Sequence, residues 1–199
     1  MLKRFLIVLL ATVCVASAQT LTQAERDRAI NHLQTTRKAF LDATKGLSEA
    51  QWNFKQAPDR WSVAECAEHI ALAEDFLFKI VTDQVMKAPA PAERKEDIKT
   101  LDQWVLTAIP DRTNKAKAPE PLVPKARWSS KDTVQHFLDS RATTLKFLET
   151  TPDLRAHAID TPMGKTLDGY QWILFISAHT ERHLAQIKEV KADANFPKQ

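Results

Sequence analysis

Apolar residues recur at intervals of three and four along four long stretches of this chain, the period of helices with one face turned to a core. The first stretch opens at Thr22, with Glu25 three residues on to complete a capping box. Its inward line runs Ala29, Leu33, Phe40, Thr44, and Gly46 falls where a helix C-terminus favours glycine. A short helical turn is expected after Ser48. The second stretch starts at Ser62 with Glu65 as its box partner and Trp61 placed to staple onto Cys66. It carries Cys66, His69, Ile70, Ala73, Leu77 and Ile80 on one face and is expected to reach about Met86. The third begins after Trp128, with Ser129 and Asp132 at its start, and is expected to bury Val134, Leu138, Leu145 and Leu148. The fourth opens at Asp168 with Gln171 as reciprocal partner and Leu167 able to pack on Trp172. Its face reads Trp172, Ile176, His179, His183, Ile187, Val190, and the tail after about Ala192 is expected to fray.

Between these stretches the pattern breaks. Six of the ten prolines fall between Lys87 and Arg127, at Pro89, Pro91, Pro110, Pro119, Pro121 and Pro124, which marks a long crossover with room for one minor helix on Ile98, Leu101, Val105 and Ile109. A shorter connection, residues 151–166, holds Pro152, Pro162 and Gly164. No run alternates polar and β-branched residues, so the expected class is all-α: a four-helix bundle with a long Pro-rich crossover between its second and third helices.

The N-terminus changes the picture of the working chain. Lys3 and Arg4 precede the apolar run Phe5 to Val15, and Ala16-Ser17-Ala18 is a small-residue cleavage site before Gln19. Residues 1–18 therefore read as a secretory signal peptide, the apolar run being too short to span a bilayer. Residues 19–199 are expected to form a single exported domain, periplasmic or secreted, with no membrane attachment after cleavage. Losing Lys3 and Arg4 brings the formal charge of +3 close to neutral, which excludes an electrostatic footprint for nucleic acid. Of the two cysteines only Cys66 survives, so the fold stands without an intramolecular disulfide, and a lone cysteine on a core stripe reads as a small apolar filler.

The candidate chemistry lies in the histidines. His179 and His183 are four apart and stack on one helical face, within a line that is otherwise apolar. His69 sits on a similar line. Buried imidazoles need hydrogen-bond or metal partners, and one divalent ion shared by the three would satisfy them together. The local sequence His179-Thr180-Glu181-Arg182-His183 is not a zincin motif, and Glu181 points away from the pair. Glu65, four residues before His69, is a candidate acceptor for one of its ring nitrogens, although it also serves the helix cap. His136 lies off its helix stripe and reads as polar-face; His32 and His157 read as surface and loop residues. Trp52, Trp61 and Trp172 fit either a pocket wall or plain core.

One internal echo stands out. Arg60-Trp61-Ser62 precedes His69 by nine residues counted from the arginine, and Arg127-Trp128-Ser129 precedes His136 by the same spacing. Convergent capping chemistry and duplication of a helix pair both account for it.

The segments Arg60-Trp61-Ser62 through Glu68-His69-Ile70, and Asp168-Gly169-Tyr170-Gln171-Trp172 through His179-Thr180-Glu181-Arg182-His183-Leu184-Ala185-Gln186-Ile187, resemble the DinB-like superfamily of metalloenzymes. That superfamily includes bacillithiol S-transferases and is related to mycothiol-dependent maleylpyruvate isomerases. The resemblance spans roughly Leu21 to Val190. It implies an up-down-down-up bundle in which His69, His179 and His183 bind one divalent metal, zinc or nickel foremost, with the identity left open. The signal peptide departs from the mostly cytosolic family and puts a cytosolic thiol cosubstrate in doubt. Three ligands leave a coordination position open, so the expected function is a metal-dependent hydrolase or thiol transferase on a small molecule. A non-catalytic metal- or ligand-binding bundle, and a relic that has lost its ion, are the alternatives. No general base is identifiable, and a homodimer through Trp104 in the crossover is a further expectation.

Overall fold

The computed structural model describes residues 20–91, 94, 96–113 and 115–198; the signal peptide expected at 1–18 lies outside them. Six helices and a small hairpin follow in order: α1 (Gln23–Thr44), α2 (Glu49–Asn53), α3 (Val63–Asp83), α4 (Ile98–Ala108), α5 (Ser130–Thr150), β1 (Ala158–Asp160), β2 (Thr166–Asp168) and α6 (Gly169–Lys191). The helix starts are those the capping chemistry dictates. Thr22 with Glu25, Ser48 with Gln51, Ser62 with Glu65 and Asp168 with Gln171 each form a complete reciprocal box. Ser129 accepts the Asp132 amide at the start of α5. Gly46, just past α1, takes a left-handed φ of +69° that a side chain would strain. The helical course of α3 tightens after Asp83 into a 3-10 turn, Val85–Lys87.

The four long helices are α1, α3, α5 and α6. Each of α1 and α3 packs against both α5 and α6, so α1 and α3 lie diagonally across the bundle. Two core clusters give the directions. One gathers Phe40, late in α1, with Val63 and Ile70 early in α3, Phe137 early in α5, and Ile187 and Val190 late in α6. The other gathers Ala29, Val81, Leu148 and Trp172 from the opposite ends. The helices therefore run up, down, down, up. The long crossover is what permits this, because α3 and α5 run the same way and the chain must return the length of the bundle between them. α4 rides on that crossover and covers α6, burying Leu101 and Val105.

The start of α6 is anchored by buried charge. Arg155 reaches Asp102 on α4 at 2.9 and 2.6 Å, Asp168 at 3.0 Å and Glu25 at the start of α1 at 2.7 Å. Its guanidinium also lies over the Tyr170 ring. Burial pushes the Asp168 carboxyl up, while Arg155 pulls it the other way. Gly169 cannot carry a Cβ here, because one would lie 2.8 Å from the Leu154 carbonyl oxygen.

Several sequence expectations need correction. The connection before α6 is not wholly irregular: β1 and β2 pair antiparallel, Ala158 opposite Asp168. Three-residue strands are too short to show an alternating pattern. The buried face of α5 is Thr133, Phe137, Arg141, Thr144, Leu145 and Leu148, whereas Val134 and Leu138 are only half-buried. Apolarity misassigns that face because a fully buried arginine occupies its middle. The tail does not fray at Ala192. Gln51 donates to the Pro197 carbonyl at 2.9 Å and Phe196 packs edge-on against Phe54, so residues 193–198 fold back over α2.

Candidate metal centre

His69 is supplied by the first half of α3, and His179 and His183 by α6, the helix it packs against most closely. His69 and His183 are buried and His179 keeps part of its surface in solvent. One ring nitrogen of each lies within 4.8 Å of the other two, and among the described residues this is the one such grouping of histidine, cysteine and carboxylate side chains. The Nε2 atoms of His69 and His179 are 3.3 Å apart. With metal–imidazole bonds of about 2.0–2.1 Å, two nitrogens on one tetrahedral ion sit about 3.3 Å apart.

The opposite ring nitrogens are held. Nδ1 of His69 donates to the Leu122 carbonyl at 2.7 Å, and Nδ1 of His183 donates to Gln186 Oε1 at 3.0 Å. A ring that donates from Nδ1 to an oxygen presents the Nε2 lone pair on its other side, as a ligating imidazole must. The acceptor for His69 is thus a backbone carbonyl of the crossover. Glu65 is engaged elsewhere, accepting the Ser62 amide and pairing with Lys55. Neither Leu122, which sits in a 3-10 turn far along the chain, nor Gln186, one turn past His183, was singled out by sequence reasoning. The i, i+3 spacing from His183 was the available signal for Gln186.

Electrostatics keep all three rings neutral. Burial lowers the His69 pKa. It pushes His179 down to about 3, helped by the charge of Arg182 and by the repulsion that a second proton would meet if His69 were also protonated. Burial lowers His183 as well, with His179 and His69 adding to the effect. A site that refuses protons while converging lone pairs fits a cation of another kind.

The remaining histidines fall elsewhere. His136 pairs with Asp75 at 2.6 Å and stacks on Trp128 at 4.2 Å. His32 is half-buried rather than free on the surface, bonded to Ser177 at 2.7 Å, and His157 bonds the Ala88 carbonyl. The echoed motifs share a contact that capping does not require: Trp61 lies 4.8 Å from the His69 ring, and Trp128 lies 4.2 Å from that of His136. Trp61 also reaches His183 at 6.0 Å and so walls one side of the triad. Trp52 and Trp172 are core. Glu181 faces away, exposed, toward His32.

An up-down-down-up bundle carrying three convergent histidines on its second and fourth long helices defines the class of protein. The sequence profile of the DinB superfamily matches residues 32–187, and the chain belongs to that superfamily. It is 30% identical over 149 residues to the uncharacterized protein YuaE of Bacillus subtilis (strain 168), covering 74% of this chain and 87% of YuaE. Its fold is similar to that of YfiT from Bacillus subtilis, a probable metal-dependent hydrolase with an unusual four-helix bundle topology. That likeness has a TM-score of 0.53 and 13% identity, over 87% of this chain and 89% of YfiT.

Proposed function

We propose that His69, His179 and His183 hold one divalent metal ion and that the protein is a metal-dependent hydrolase acting on a small molecule. The observation that carries this is the convergence of three neutral imidazoles, two of them with Nδ1 fixed on an oxygen acceptor. Membership of the DinB superfamily and the hydrolase description of the structurally similar YfiT support it. Zinc or nickel suits an all-imidazole set. Three protein ligands leave a position for water or substrate, and a metal bound there would lower the pKa of that water or polarise a carbonyl.

The chain's own groups shape the rest. The positive charge of Arg182 bears on His179 and His183, while Arg112 beside it is paired with Glu189 at 2.9 Å. Trp61 shields the His69 and His183 side, leaving His179 as the solvent-facing ligand. We further propose that residues 1–18 act as an export leader; a working protein away from cytosolic thiols would favour hydrolysis over thiol transfer, and N-terminal sequencing of the exported chain is expected to begin at Gln19.

The test is metal analysis of chain expressed from Gln19 and purified without chelators. Wild type is expected to carry about one ion per chain, and His183→Ala and His179→Ala almost none while keeping helical circular dichroism. Ester, amide and phosphoester model substrates then read out turnover that depends on the ion. An ion held equally by wild type and both variants refutes the site, and an ion bound with no turnover on any class favours a non-catalytic binding bundle.

A further inference from the structure

Glu68 stands beside His69 on α3, yet it does not face the triad. Its carboxylate is buried, at 4% exposure, and turned onto the last part of the crossover. There it accepts the backbone amides of Lys125 at 3.0 Å, Ala126 at 2.8 Å and Arg127 at 3.3 Å, and the Arg127 guanidinium at 2.6 Å. Hydrogen bonds of this kind, with Arg127 adding charge, hold the carboxylate ionised despite its burial.

Three successive amides can aim at one point only if the loop bends sharply, and Ala126 shows the bend: its φ is +53°, a left-handed conformation that side chains rarely adopt. The same loop carries Leu122, whose carbonyl is the acceptor for His69 Nδ1 at 2.7 Å. The loop is thus held to α3 at two adjacent residues, once by the Glu68 carboxylate and once through His69.

We propose that Glu68 is a positioning residue for the histidine centre. By holding residues 122–127 against α3 in a strained conformation, it keeps the Leu122 carbonyl on Nδ1 of His69. That fixes the ring as the Nδ1–H tautomer and turns its Nε2 lone pair toward His179 and His183. A carboxylate is needed because the three amides require an acceptor with no hydrogen of its own, whereas a glutamine at 68 would turn an NH2 group toward them. The effect on the ring stands without any ion; its effect on metal affinity rests on the function proposed above.

The experiment reads the ring directly. Histidine-15N-labelled, metal-stripped protein is examined at pH 7.5 by long-range proton–nitrogen correlation. Wild type is expected to show His69 wholly as Nδ1–H, and Glu68→Gln a mixture of both tautomers. Glu68→Gln with Ala126→Gly, which removes the backbone strain the carboxylate holds, is expected to restore most of the Nδ1–H form. Glu68→Asp keeps the charge and shortens the reach by one methylene; as the milder variant it is expected to show a mixture even if Glu68→Gln fails to fold. Zinc affinity from chelator competition is expected to fall about tenfold or more in Glu68→Gln and to recover in the double variant. Folded Glu68→Gln and Glu68→Asp that keep His69 wholly as Nδ1–H overturn the proposal, whatever their melting temperatures. A tautomer mixture in a protein whose wild type takes up no zinc upholds the role of Glu68 and instead refutes the metal centre.

Discussion

Arg141 of α5 and Glu74 of α3 meet in the middle of the bundle, Nε to Oε2 at 2.9 Å with a second bond from the other guanidinium nitrogen, and both side chains are out of solvent. Arg141 also donates to the Leu33 carbonyl and to Thr36 on α1. Thr180 of α6 completes the network: its hydroxyl donates to Glu74 at 3.0 Å and accepts from Arg141. Thr180 follows His179 in the chain. The pair therefore joins all four long helices and sets the offset of α3 against α6 on which the meeting of His69 and His179 depends.

Removing one partner strands a charge in a dry core. Glu74→Gln or Arg141→Met alone is expected to destabilise the fold by about 3–5 kcal/mol, as breaking buried pairs does. Replacing both by apolar residues of similar volume is expected to recover much of the loss. Urea unfolding of the three variants measures this. Equal losses in the single and double variants would show that the pair's other bonds, not its charges, carry the stability.

Gln186 holds Nδ1 of His183 and accepts Arg112 at 3.2 Å through the same oxygen. Gln186→Leu keeps helix propensity and shape but removes that oxygen. Metal affinity is expected to fall about 10- to 100-fold, the usual effect of losing a ligand's outer partner, with little change in the melting temperature of metal-free protein. Chelator competition and thermal melts, run on the same sample, separate the two.

Acid is expected to destabilise the metal-free protein. His69, His179 and His183 all titrate below the ordinary value of 6.5 when folded, His179 at about 3. The unfolded chain therefore takes up protons first as pH falls through about 6.5, and stability drops from there toward the folded values. Each histidine contributes up to about 1.4 kcal/mol per pH unit within that window. Urea midpoints at pH 7.5 and 5.0 should show the fall, and His179→Gln should make it shallower by about one proton. A midpoint independent of pH over this range would contradict neutral burial of the triad.

Burial pushes the Cys66 thiol up to about 12, and its side chain is fully enclosed on α3, the helix that carries His69. The native protein is expected to resist iodoacetamide at pH 8 and to react at Cys66 only after denaturation, as mass spectrometry of the digested protein would show. Rapid native alkylation would restore a chemical role that a core filler lacks.

Much of the fold is legible because its signals are local. The boxes at Thr22, Ser62 and Asp168 and the cap at Ser129 each lie within four residues, so the helix starts follow from short spacings. His179 and His183 are likewise adjacent on one helix face. Their convergence with His69 follows from the apolar stripes that carry all three, and the family resemblance points the same way. Long-range features carry no such signal. Apolarity alone misplaces the face of α5 around Arg141, because a charge is buried only where a distant partner meets it.

By itself, then, the chain's order of residues determined four capped amphipathic helices, a proline-rich return between the second and third, and three histidines on inward faces. Helical period and capping depend on near neighbours, so no tertiary information was required. Only the folded structure decided what each ring's second nitrogen would meet. Leu122 lies 53 residues from His69 in sequence, and its carbonyl looks like any other until the crossover is laid against α3. Backbone groups carry no side-chain signature, and their placement is a property of the packed molecule alone.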